Sequence, residues 1–260
     1  MRSLILLFAA LLAFGCSDDD ERPPALVCQG TECHGPPIQG SGATTGDGDG
    51  GEPGTGGQGP IFSVSRFESD DFLTTGPFTS TAAILADGEG GRTLETSWNG
   101  FDPFTIEGLA ERPFLFVEPE PGNDALPTLL SPALRSTVEL PLARATVVES
   151  LLALSSVPLD LESDRAQVVL ALVDATRNEP FAGATLSEAT AQTVLYAASG
   201  SWSDAVTETD VTGLALLANV DAGPWPGRLT SIAVSGGAVG AIPLRTVSGA
   251  VTVLYIGIEP

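Results

Sequence analysis

Three cysteines, one histidine and a large surplus of carboxylates are the residues of this 260-residue chain that could do chemistry. The histidine, His34, ends the run CQGTECH (28–34), ahead of the segments rich enough in apolar residues to form a core. A serine or cysteine nucleophile needs a base within hydrogen-bond reach, and neither histidine nor cysteine follows residue 34. Lysine is absent, which removes amine catalysis. A histidine-ligated zinc centre in the later part is excluded on the same ground. Carboxylate chemistry remains. A glycosidase needs only two carboxyl groups at a set separation, and Asp70, Asp71, Asp102, Glu107 and Asp124 are available. With 33 acidic residues in the chain, such availability selects nothing. The expectation is a protein that is not an enzyme, with a carboxylate-dependent, glycosidase-like hydrolase as the alternative.

Binding chemistry has more to work with. Cys28 and Cys33 are expected to close a small local disulfide loop; the rival is a metal site adding His34, which lacks a fourth ligand. Asp160, Glu162 and Asp164 alternate in a way that could offer oxygen ligands to calcium, although alternating acids also serve simply to face water. Asp47, Asp49 and Glu52 echo calcium-loop spacing without most of the ligands such a loop needs. No other cofactor is expected. Trp98 and Phe101 lie in the turn-rich SWNGFDPF and Trp225 in GPWPG, where exposed rings could stack on sugars; the other reading buries them as plugs of a core. A net charge of -22 and a pI near 4.1 exclude nucleic acid as a partner, because phosphates would be repelled. The same charge excludes electrostatic attachment to anionic lipid.

Membrane contact must then be covalent or apolar, and the N-terminus offers the means. Met1-Arg2-Ser3 precedes the apolar run LILLFAALLAF (4–14), about 16 Å as a helix and too short to span a bilayer of roughly 30 Å. It has the length and flanks of a signal-peptide core. Gly15-Cys16 follows, then Ser17-Asp18-Asp19-Asp20-Glu21. This arrangement resembles the lipobox of bacterial lipoproteins, with Ala13 and Phe14 departing from its commonest residues. The resemblance implies that Cys16 becomes N-terminal and carries a diacylglyceryl thioether and an N-acyl chain, a practically permanent anchor. Ser17 resembles the sorting position of lipoproteins sent to an outer membrane. The expected location is the cell envelope, lipid-anchored to a bacterial outer membrane at its periplasmic face or the cell surface.

The elements that would position any site begin late. Residues 16–60 are Gly-, Pro-, Asp- and Thr-rich, with GDGDGGEPGTGGQGP (46–60) the extreme, and should be a disordered, lipid-anchored linker behind a signal peptide at 1–15. As a flexible coil its r.m.s. span is roughly 35–40 Å. From residue 61 short apolar or alternating runs recur between Gly, Pro, Asn and Asp. Strands are predicted at 61–67, 81–86, 93–98, 104–107, 114–118 and 137–140, and again at 167–174, 184–187, 193–197, 214–218, 228–234, 239–243 and 247–258. Between the series, Thr146-x-x-Glu149 reads as a capping box for a short helix ending before Pro158.

The second series carries a further resemblance. VLALVDATRNEPFAGATLS (169–187) and ETDVTGLALLANVDAGPWPGRLTSIAVSGG (208–237) are similar to carboxypeptidase-regulatory-like domains, which are prealbumin-like β-sandwiches without an active site. Ala182-Gly183-Ala184, Thr209-Asp210, Gly213 and Ala222-Gly223 occupy that pattern's places, while Asn178-Glu179 stands where a glycine is common. FDPFTIEGLAERPFLFVEPEP (101–121) carries a fainter echo of the same unit. The expected fold is all-β: one or two tandem Ig/prealbumin-like sandwiches, at 61–143 and 165–260, joined by a helical connector at 144–164. The expected role is a non-catalytic binding or spacer module for an envelope protein or glycan.

Overall fold

Alternation and apolar runs decide which segments of this chain are extended. The computed structural model describes residues 59–160, 164–188, 190–198, 201–236 and 241–259, together with the backbone of 26–29 and 32–34. Cys16, the signal-peptide core, the acids at 47–52 and Glu162 lie outside the described residues. In chain order the first strands are β1 (Leu26–Gln29), β2 (Glu32–His34), β3 (Ile61–Phe67), β4 (Thr75–Pro77), β5 (Ala82–Asp87) and β6 (Thr93–Trp98). Next come β7 (Phe104–Thr105), β8 (Leu115–Pro119), β9 (Thr128–Leu130), β10 (Thr137–Leu142) and the helix α1 (Ala145–Ala153). Then follow β11 (Arg165–Asp174), β12 (Glu179–Pro180), β13 (Thr185–Ser187), β14 (Thr193–Ala198) and β15 (Ser201–Ser203). The last are β16 (Leu214–Asp221), β17 (Arg228–Ser235), β18 (Ala241–Thr246) and β19 (Val251–Ile258). The expected all-β architecture with one short helix is what these residues form. The expected strands do not include β1 and β2, which lie in the stretch read as linker, nor β4, β9, β12 and β15, none of which exceeds three residues, too short for an alternation to show. Residues 247–250 turn rather than extend, with Gly249 at φ 73, so β19 begins four residues later than its apolar run.

One sheet runs β15-β14-β16-β11-β19-β9-β8-β5-β6. Its middle strands, β11, β16 and β19, are nearly continuous apolar runs because both of their faces are covered. On one face Val169, Ala171, Leu216, Val251 and Val253 join a large core with Phe62, Leu140, Ile84 and the inner side of α1. On the other, Val168, Leu170, Leu217, Leu254 and Ile256 pack on Leu186, Ile232, Val234 and Leu244 of the three-stranded sheet β13-β17-β18. A third sheet, β10-β3-β4 with β7 beside β3, closes the N-terminal side.

The sheet does not stop at the connector. β19 pairs with β9 in parallel, Val251–Val253 against Thr128–Leu130, so 61–143 and 165–260 share it. Side chains fasten the same junction. Arg245 on β18 donates through Nη1 to both carboxylate oxygens of Asp87 on β5, at 2.8 and 2.7 Å, and its guanidinium lies 4.5 Å from the Phe114 ring centroid. Trp225 stacks on Phe116 at 6.0 Å and donates its indole N–H to Thr93 Oγ1 at 3.1 Å.

The helix forms where expected, but its N-terminus is capped differently. Arg144 at the N-cap provides no side-chain cap. Asp124, 22 residues upstream, accepts from the Thr146 N–H at 2.9 Å and the Thr146 hydroxyl at 2.8 Å, with Arg144 held on the same carboxylate at 2.7 Å. A remote carboxylate supplies both the acceptor and the negative charge that a helix N-terminus favours, and the capping box is not made. Ahead of β3, within the stretch read as linker, β1 and β2 form a hairpin whose first strand lies parallel to β19, Leu26 opposite Ile256 and Val27 opposite Gly257.

Candidate binding groove

The turn after β3 is built around Asp71. Its carboxylate accepts from the Ser69 hydroxyl (2.7 Å), the Leu73 N–H (2.9 Å), the Thr74 N–H (3.1 Å) and the Thr74 hydroxyl (3.0 Å). Burial opposes its ionisation, but these donors outweigh that and hold Asp71 below the usual carboxylate range. The neighbouring Phe72 adopts φ 50, uncommon for a bulky residue. Its ring, fully buried, meets Phe67 edge-on at 5.5 Å and Trp202 at 6.3 Å. Its carbonyl accepts the Tyr255 hydroxyl at 2.7 Å. Burial, and then the charges of Asp71 and Glu139, push the Tyr255 hydroxyl far above its ordinary range, so it keeps the proton it donates to Phe72.

Beside this turn opens a cavity of about 450 Å³, within the range of small-ligand sites. Phe67, Leu130, Val253 and Tyr255 line its apolar side, while Ser63, Thr75 and Thr137 contribute hydroxyls and Arg135 and Glu139 the charges. Leu73, 40% exposed, stands at one wall. Such a lining offers apolar contact, hydroxyl hydrogen bonds and one charge of each sign. None of this was legible in sequence, since the lining comes from β3, β4, β9, β10 and β19 and from the segments after β3 and β9.

The aromatic residues singled out from sequence are not brought together. Trp98 is a correction: it is 5% exposed, in the main core against Phe104 at 6.0 Å, and unavailable for stacking. Its ring neighbour Phe104 lies on β7 and stacks in turn on Phe62 of β3, which the local turn signals could not reveal. Phe101 is 74% exposed. Asn99 holds it out, its side-chain oxygen accepting the N–H groups of Phe101 and Asp102 at 2.9 Å each. Trp225 is half-buried with one face on Phe116. Its partner Thr93 and Trp98 stand at opposite ends of β6, roughly 17 Å apart.

The carboxylates are employed structurally. Asp102 accepts from the Asn99 amide at 3.0 Å. Asp124 is depressed: burial opposes its ionisation, and the donors on Thr146 and Arg144 overcome that. Asp174 is lowered chiefly by the Thr176 hydroxyl, whose N–H it also accepts at 2.9 Å. Glu188 is depressed although burial opposes it, through Thr190 and Thr230. Among the described residues no group of three or more Asp, Glu, His or Cys is placed to hold a metal ion; Asp160 and Asp164 are described, Glu162 is not. Cys28 and Cys33 are register partners in the β1–β2 hairpin.

Turn residues behave as their types demand. Asp210 accepts from the Thr212 N–H at 2.8 Å, and Gly213 takes φ 65, where a Cβ would sit 2.3 Å from the Leu172 carbonyl oxygen. Asn178, standing where a glycine is common, takes φ 56 itself, a conformation that asparagine tolerates.

No family model and no curated protein matches this chain. Among solved structures, a streptococcal ancillary pilin shares 14% identity over 79% of this chain and 64% of its own, with a TM-score of 0.22. The shaft pilin SpaA of Lactobacillus rhamnosus GG shares 10% identity over 78% of this chain and 99% of its own, also at 0.22. Similarity of this size does not define a shared fold.

Proposed function

We propose that this protein is a non-catalytic surface lipoprotein of the bacterial envelope, anchored through Cys16, whose β-sandwich body serves as a binding or spacer module for a protein or glycan partner. The observation that carries the non-catalytic reading is the employment of the carboxylates. Asp71, Asp124, Asp174 and Glu188 are each tied to backbone or hydroxyl donors and held ionised, whereas a hydrolase of the alternative kind needs one carboxyl kept protonated as the acid. The groove beside Tyr255 and the outward Phe101 supply contact surfaces. The short signal core and Gly15-Cys16 support the anchor.

Two measurements test the reading. Metabolic labelling with a palmitate analogue should mark the wild type and not Cys16→Ser; equal labelling would end the lipoprotein assignment. The purified protein should leave a panel of envelope glycans and peptides intact. Turnover abolished by replacing Asp70, Asp102 or Glu107 would establish the hydrolase instead.

A further inference from the structure

We infer that the β1–β2 hairpin is a strap, closed by a Cys28–Cys33 disulfide, that docks on the edge of β19 beyond β9 and shortens the membrane tether. The edge of β19 opposite β11 takes two parallel partners. β9 covers Val251–Val253 and β1 covers Ile256 and Gly257. The hairpin register sets Val27 against His34, Cys28 against Cys33 and Gln29 against Glu32. Directly opposed residues of an antiparallel pair have Cα atoms about 4.5–5.5 Å apart, inside the range of about 4.4–6.8 Å that a disulfide spans. Two residues, Gly30 and Thr31, separate the last pair in the sequence.

An isolated two-stranded hairpin is marginal in water, and only two register pairs hold this one to β19. A covalent link between its strands removes the open conformations that compete with docking. Closure takes one proton and one electron from each thiol. A disulfide donor of an oxidising compartment accepts both electrons and leaves as a dithiol. The tether consequence rests on the Cys16 reading. As one free spacer, residues 17–60 could reach about 150 Å at full extension; with the strap docked, only residues 17–25 separate the anchor from the fold, about 30 Å.

The strap is tested without the lipid, by counting thiols and following backbone hydrogen exchange in the purified, processed protein. Cys28 and Cys33 should be unreactive to thiol reagents until reduced. Amides of residues 26–29, 32–34 and 256–257 should exchange at least about tenfold more slowly in the oxidised protein than in Cys28→Ser/Cys33→Ser. Val27→Pro should keep the disulfide yet lose the slow exchange, separating closure from docking. Reactive thiols in the folded protein would overturn the proposal, and so would equal exchange in the oxidised protein and the double serine variant. Failure of lipid labelling would leave these outcomes unaffected and remove only the consequence for reach.

Discussion

Three demands meet at Asn219. Its backbone takes φ 52 at the irregularity where β16 slips register against β11. Its side-chain oxygen accepts from Gln167 at 2.6 Å, and its amide donates to Gln192 at 2.9 Å. Its N–H donates to the Gln167 side chain at 2.9 Å. Gln167 is 1% exposed, so removing the partner strands a buried amide. Asn219→Ala should therefore cost about 2–4 kcal/mol, combining that desolvation with left-handed strain, as read from denaturant midpoints. The depressed carboxylates give a pH prediction of definite sign. A group lowered in the fold adds stability above its unfolded value, near 4, and loses it as pH falls through the folded value. Stability should thus hold across neutral pH and fall away as the pH drops below about 4. Asp71→Asn should be less stable at pH 7 and show a shallower acid decline; an unchanged acid profile would refute the role given to Asp71.

The helix and the β5–β18 clamp show how elements are fixed by partners distant in sequence. Asp124→Ala should destabilise by about 1–2 kcal/mol through loss of the helix cap, while Glu149→Ala, the change that a capping box would feel, should stay within about 0.5 kcal/mol. Reversed magnitudes would restore the local box. Arg245 and Asp87, with side chains 18% and 24% exposed, should show a double-mutant coupling above about 1 kcal/mol, because each is left part-buried without the other. The sequence made most strands legible, since alternation and apolar runs are local properties. It could not show that β11, β16 and β19 are covered on both faces, because a run such as VVLALV reads alike in a sandwich or a stack of sheets. The groove was hidden for a related reason: Tyr255 and Phe72 lie 183 residues apart, and no spacing announces their contact. Asp210, Gly213 and Asn178 were legible because each acts within its own turn.

For the whole molecule, the pairing of β9 with β19 puts strands of 61–143 and 165–260 in one sheet, and the two stretches should unfold together. Urea unfolding followed by tryptophan fluorescence and by far-ultraviolet dichroism should trace one coincident transition. Trp98 and Trp202 report on the larger core and Trp225 on the β5–β18 junction. Two separated transitions would mean that 61–143 and 165–260 behave independently despite the pairing of β9 with β19.

β19 follows every other described strand in sequence, yet β11, β9 and β1 all pair with it. A ribosome making this chain therefore delivers the keystone last. Until residues 251–258 emerge, β11 and β9 lack their common neighbour, and the earlier segments have no complete sheet to close around. On the proposed route of export behind a signal peptide, that order keeps folding from running ahead of passage. Nascent chains halted before residue 251 should remain protease-sensitive, and chains released beyond 258 should become resistant.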